Sequence, residues 1–204
     1  MYLVFIFWGD RKMDKIQKLK LDRLIHFFAK EHKETSGTHL FKTTLLKYID
    51  LFEFELLPIL GQPPIGLEYC AMKNGSVPIE LYDSIDKGEY ESDFVEIIQE
   101  IEEDEMGGET RKIKIIPKPM EDEYDFDDFS EIEIDKMYEL IELYAKGYQN
   151  NKKIIDKVHQ LKSWKIAWEK APQKGKKIEK IDFSDEIDSE RDPILTEQYK
   201  SYRL

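Results

Sequence analysis

With 204 residues, 41% of them hydrophobic and 12% aromatic, the chain can fill a core, which excludes wholesale disorder and points to one domain, or one with an elaborated end. A single cysteine, Cys70, excludes an intramolecular disulfide framework and any Cys-x-x-Cys metal site, and fits a reducing, cytoplasmic setting. The net charge of −12 is concentrated in residues 80–135, where 5 basic and 22 acidic side chains give −17, a surface that repels phosphate backbones and argues against nucleic-acid binding.

Residues 1–12 read as an N-terminal extension upstream of an internal start at Met13, with an edge strand as the alternative. Its apolar run at 2–8 has no basic stretch before it and no small-residue cleavage site after it, and no run in the chain approaches a membrane span. A helix is predicted over about 15–34, with Ile16, Leu19, Leu24, Phe27 and Phe28 on one stripe, broken at Ser36-Gly37. Thr38 is placed as the N-cap of a second helix that runs to about Phe54 and stops before Pro58. Residues 58–66, with three prolines and two glycines, read as a loop. A strand at 67–73 follows, with Tyr69, Ala71 and Lys73 on one face and Cys70 and Met72 on the other. Asn74-Gly75 reads as its turn, with positive φ tolerated at the glycine, and Pro78 as the first position of a helix over 78–87.

Residues 94–102 and 111–116 alternate well enough to suggest a β-hairpin turning at Met106-Gly107-Gly108, although 92–103 also reads as a helix. Residues 119–129 form an acidic linker. Ser130 and Glu133 make a capping box, and Phe129 with Ile134 a hydrophobic staple, for a long helix at 131–147 with Met137, Leu140, Ile141 and Tyr144 on one face and Gly147 at its end. A further helix is predicted at 151–161. Trp164 and Trp168, four apart on one face of a last turn or two before Pro172, are expected to pack under the long helix. The fold class that emerges is mainly α-helical α+β, a compact helical domain with a small antiparallel sheet or hairpin.

The residues supply little catalytic chemistry. His26, His32, His39 and His159 lack metal-ligand spacing, and the chain has no phosphate-cradling glycine loop. The acidic linker lacks the glycine and terminal glutamate of a calcium loop. Cys70 reads as a buried, inert thiol, and Lys174, Lys176, Lys177 and Lys180 form too short a cluster for nucleic acid. No cofactor or metal and no catalytic residue is expected. The aromatic residues Tyr124 and Phe126 among the linker's acids are suited to a basic protein groove.

Tyr69, Gly75, Val77, Pro78, Glu80, Leu81 and Tyr82 stand in the order of the tyrosine–strand–glycine–valine–proline–acid–leucine–tyrosine signature of the Panacea domain, the SocA-like antitoxin or phage-associated GepA-like family, which this chain resembles. Ser76 replaces the proline common after that glycine. Residues 40–54 are similar to the family's second helix, Ile115-Ile116-Pro117-Lys118 to the strand end before its linker, Ser130-Glu131-Ile132-Glu133 to the start of its long helix, and His159 with Trp164 and Trp168 to its C-terminal element. The resemblance covers roughly residues 16–187. It implies a Panacea-like domain at 13–187, followed by a C-terminal tail at 188–204.

It also implies an antitoxin that neutralises a cognate toxin by direct binding and is not an enzyme. The alternatives are an adaptor delivering the toxin to a Clp-type protease and, from another class, a small enzyme or nucleic-acid-binding regulator. Candidate toxin contacts are Met72, Lys73, Asn74 and Tyr82 on the strand–turn–helix unit and Tyr124 and Phe126 in the linker. The acidic middle of the chain suits a basic toxin.

Overall fold

The computed structural model describes residues 13–103, 109–120, 126–171 and 179–202. In chain order the elements are α1 (Lys15–Ser36), β1 (Leu40–Phe41), α2 (Lys42–Leu60), β2 (Tyr69–Met72), β3 (Gly75–Pro78), α3 (Ile79–Lys87), β4 (Val95–Glu103), β5 (Glu109–Pro117), α4 (Glu131–Tyr144), α5 (Lys152–Val158), α6 (Lys162–Lys170), β6 (Glu179–Lys180), a 3-10 turn (Phe183–Glu186) and α7 (Pro193–Tyr202). The fold is mixed α+β and mainly helical, with, among the described residues, two three-stranded antiparallel sheets ordered β1-β5-β4 and β3-β2-β6.

The central element is α2. From Thr44 to Phe54 every residue is buried, because α1, α4, α5, the β2–β3 hairpin and the 3-10 turn all pack on it. A helix enclosed on all sides has no polar face to give to water. Phe28 of α1 stacks on Tyr48 of α2 at 4.8 Å, and Phe52 meets Phe28 and Phe129 edge-on. At the other end of α2, Phe54 packs against Tyr69 and stacks on Phe183 at 4.6 Å.

Several boundaries differ from those expected. Thr38 does not cap α2: its N–H bonds Ser36 Oγ, and residues 40 and 41 pair with Ile115 and Lys114 of β5, so the helix starts at Lys42 with no side-chain cap. Pro58 does not end α2. A proline in the last turn forfeits one bond to the preceding turn, and the helix runs on to Leu60, closed by Gly61 in the left-handed conformation with its N–H on Leu57 O. On α1 the Asp14–Gln17 capping box opens the helix and Gly37 closes it, but Ile16 and Leu19 lie exposed; the buried stripe starts at Leu21. The α4 capping box forms, with Ser130 Oγ accepting from Glu133 N–H and Glu133 accepting from Ser130 N–H. That helix stops at Tyr144, and Gly147 takes a positive φ of 66° in the turn beyond.

Residues 95–103 are strand, which removes the helical alternative for 92–103. The expected turn at 106–108 and Tyr124 lie outside the described residues, as do residues 1–12. Five elements had no counterpart in the sequence reading: β1, β3, β6, the 3-10 turn, and α7, whose Leu195 and Tyr199 are buried.

Candidate functional site

The strand–turn–helix unit is a full hairpin. Tyr69 pairs with Pro78, Cys70 with Val77, Ala71 with Ser76 and Met72 with Gly75. The turn residues are therefore Lys73 and Asn74, and Gly75 opens β3 with a φ of 105°. Pro78 is the last residue of β3 and sits just before α3, not inside it. A Cβ on Gly75 would stand 2.6 Å from Val158 Cγ1 and 3.4 Å from Lys47 Cε. Gly75→Val is expected to cost about 1–3 kcal/mol in backbone strain, and more once the Val158 contact must give. An unchanged urea midpoint would show that the turn tolerates a side chain.

Beneath the hairpin, α2 presents Lys47, Asp50 and Glu53, three residues apart and all buried. Lys47 Nζ donates to Asp50 Oδ2 at 2.8 Å and to the Ser76 carbonyl, and Ser76 Oγ donates to the same Asp50 oxygen at 2.9 Å. The Ser76 hydroxyl thus adds a tie between β3 and Asp50 of α2 that a proline, keeping only the carbonyl, could not supply. Glu53 Oε1 accepts from the N–H groups of Ile65 at 3.1 Å, Gly66 and Leu67 at 3.4 Å, while Tyr69 donates its hydroxyl to Oε2 at 2.7 Å. One carboxylate therefore fixes both the 65–67 loop and the start of β2. This charged stripe lay in the sequence as three ionic residues at i, i+3 and i+6 in an apolar run, and it carried no role in the sequence reading.

Burial raises both carboxyls, Asp50 to about 6 against the pull of Lys47 and Glu53 to about 7 against its four donors. A carboxyl raised on folding binds more protons in the native state, so its contribution is full below the unfolded value and is lost as pH rises through the folded one. Stability attributable to Glu53 should therefore fall between about pH 4.5 and 7. His32, held down to about 4 by burial, acts in the opposite sense. The comparison that isolates Glu53 is wild type against Glu53→Gln in urea titrations from pH 4 to 8. The wild-type midpoint should decline more across that range, and parallel curves would refute the assignment.

On the outer side, Trp164 of α6 donates Nε1–H to Met72 O at 3.1 Å, lies against His159 at 4.3 Å, and stacks on Trp168 at 5.7 Å. The tryptophans therefore pack over β2 and not under α4, because β2 offers both an apolar face and an acceptor carbonyl. Lys73 and Asn74 are exposed and Met72 is half-buried. Tyr82, on α3, is half-buried with Lys42 Nζ 4.1 Å above its ring, and Lys42 also pairs with Asp86. Phe126 is half-buried against Phe27 at 6.0 Å and Tyr138 at 6.3 Å, and Asp128 accepts from Arg23 at 2.6 Å. This end of the linker is thus folded onto α1 and α4.

Among the described residues no group of three or more His, Cys, Asp or Glu could hold a metal ion. Burial pushes the Cys70 thiol up to about 11, where it is no nucleophile. A cleft of about 390 Å³ lies between residues 63–69 and Tyr199 and Tyr202 of α7; of the carboxylates lining it, Glu68, Glu80 and Asp182, Glu68 is held by Lys180 at 2.8 Å and Asp182 accepts from the Ser184 N–H at 2.9 Å. No helix among the described residues is long and apolar enough to cross a membrane.

Comparison with curated proteins and with solved structures found no match. A family model does match, over residues 45–165. That span runs from the first turn of α2 to Trp164 and its neighbour on α6, taking in the buried ionic stripe, both hairpins and the capped α4, so the chain belongs to the antitoxin SocA-like family and carries its Panacea domain.

Proposed function

We propose that the protein is an antitoxin that neutralises a cognate, basic toxin by direct protein–protein binding, using the tip of the β2–β3 hairpin as part of its contact surface. The observation that carries the surface is the contrast within one hairpin. Its stem is locked by Lys47, Asp50, Glu53 and Trp164, while Lys73 and Asn74 at its tip are exposed. A rigid stem with a free tip loses little conformational entropy on docking. Half-buried Met72 adds apolar area beside it. The acidic charge of residues 80–135 steers a basic partner toward the molecule and lends salt sensitivity to the encounter.

The test is to co-express the chain with a toxic reading frame that adjoins its gene. Growth should be rescued, and the two proteins should co-purify at stoichiometric ratio. A double substitution, Lys73→Glu with Asn74→Arg, should weaken the complex by about tenfold or more, the scale of one interface anchor, with the unfolding midpoint unchanged because both residues are exposed. Rescue without a complex, or rescue that disappears when the host's Clp-type protease is deleted, would replace neutralisation by delivery to proteolysis.

A further inference from the structure

The β4–β5 hairpin is an arm with one open side. In the order β1-β5-β4, β4 is terminal, and among the described residues no strand pairs with its outer edge. At nine residues that edge is about 30 Å long. Alternate N–H and C=O groups along an edge strand point away from the sheet and form a ready template for another strand. Edge strands of soluble proteins are usually blunted by lysine, proline, a bulge or a very short length. The sequence of β4, Val-Glu-Ile-Ile-Gln-Glu-Ile-Glu-Glu, has none of these. It carries four glutamates and no basic residue.

The arm is also held still. At one end, Lys118 N–H bonds Phe94 O at 2.9 Å, and Lys118 O meets His26 Nε2 at 3.0 Å. Further along, Gln99 Nε2 donates to Ile85 O at 3.4 Å, and Arg111 reaches Asp86 O at the end of α3. Lys114 bridges to Glu100 at 2.6 Å from the β5 side. The three basic residues of β5 lie in the inner strand, so the outer edge meets any newcomer with acidic residues. Ile101 is 66% exposed and Glu96 is exposed. The edge is therefore pre-ordered, partly apolar and of one charge sign.

From this geometry we infer that the free edge of β4 is a strand-docking site for an extended segment of the toxin that alternates lysine or arginine with apolar residues. The inference rests on the antitoxin reading for the identity of the occupant and on the arm alone for the site. Self-pairing is the competing occupant. An antiparallel copy centred on Gln99 would oppose Glu96 to Glu102 twice, once on each side of the centre, and like charges directly opposite destabilise a strand pair. Lysine in those cross-strand positions turns the same repulsion into attraction.

The first arm of the test uses the full-length protein and a ten-residue peptide alternating lysine and valine, with the glutamate–valine counterpart as control. Amide hydrogen exchange should slow at residues 95–103 with the lysine peptide and not with the control. Glu96→Lys should weaken the lysine peptide about threefold to tenfold. Protection elsewhere, equal protection by both peptides, or none, would overturn the proposal. So would protection of 95–103 without peptide in a protein that sediments as a dimer.

The second arm uses Ile97→Pro and Ile98→Pro. Of two adjacent residues, one N–H faces β5 and the other faces out, so one proline variant keeps the β5 ladder while blocking the edge. That folded variant should lose the peptide and lose neutralisation of the co-expressed toxin. If it loses the peptide yet neutralises at full strength, the edge is not the toxin site and the antitoxin reading stands. If the wild-type chain itself fails to neutralise, the antitoxin reading falls, and with it the identity of the occupant, while the peptide arm still decides whether the edge docks a basic strand.

Discussion

Lys47→Met is expected to destabilise the protein by about 3–5 kcal/mol, the cost of leaving a buried charge without its partner. Asp50 is fully buried, and its Oδ1 has no hydrogen-bond partner among the described residues. With the lysine gone, Oδ2 keeps only the Ser76 hydroxyl, and the Ser76 carbonyl loses its donor. The alternative to an unpaired anion is protonation, so the penalty should shrink in acid, where Asp50, already raised to about 6 with its lysine present, becomes neutral. A second measurement separates charge from packing. In Lys47→Met/Asp50→Leu both ions are removed, and most of the lost stability should return, since hydrophobic replacement of a buried pair is often neutral or stabilising. Urea midpoints at pH 5 and pH 8 read out all three proteins. Equal midpoints for wild type and Lys47→Met would show that the pair is solvated in solution.

Trp164→Ala should cost a comparable amount, about 3–5 kcal/mol, as a large-to-small change on the outer side of the hairpin. The indole fills the space between His159, Trp168 and β2, and its N–H satisfies the Met72 carbonyl. Trp164→Phe keeps most of the ring area and removes the donor, so it should cost about 1 kcal/mol more than a pure packing change. Because Met72 is the last residue of β2 before the turn, the alanine variant should also loosen the hairpin tip, seen as faster amide exchange at residues 69–78. If the alanine variant unfolds at the wild-type midpoint, the aromatic stack contributes nothing and the hairpin is held from the α2 side alone.

How far the fold was legible depended on whether its determinants were local. The α4 start was readable because Ser130 and Glu133 satisfy each other's backbone within one turn. The β4–β5 hairpin was readable because apolar and charged residues alternate over part of 94–102 and over 111–116 on either side of a glycine pair. By contrast, Thr38 looked like a cap until β5, more than seventy residues away in sequence, claimed residues 40 and 41 for pairing. Likewise β6 is two residues long and exists only because Cys70 and Ala71 have a free side. The β3 strand was hidden by its own content, a glycine, a serine and a proline, which locally suggest a turn. The ionic stripe was the most instructive omission. Charges at helical spacing on a solvated face are ordinary, and on a helix as apolar as α2 they mark burial with dedicated partners. The strand–turn–helix unit that the Tyr69–Tyr82 motif announced was thus recognised, while its second strand and the polar structure that holds it were not.

The pairing of β6 with β2 has a consequence in time. Cys70 lies opposite Lys180, so the second edge of the hairpin sheet cannot close until about 110 further residues have been made. At synthesis rates of roughly 5–20 residues per second, that delay is on the order of 5–20 s. Phe183, which stacks on Phe54 and meets Tyr69, arrives later still. A nascent chain with its hairpin emerged is therefore not yet a finished one. Under the antitoxin function proposed above, a cell would have to begin its translation ahead of the toxin's, or hold a reserve of completed molecules large enough to cover the interval.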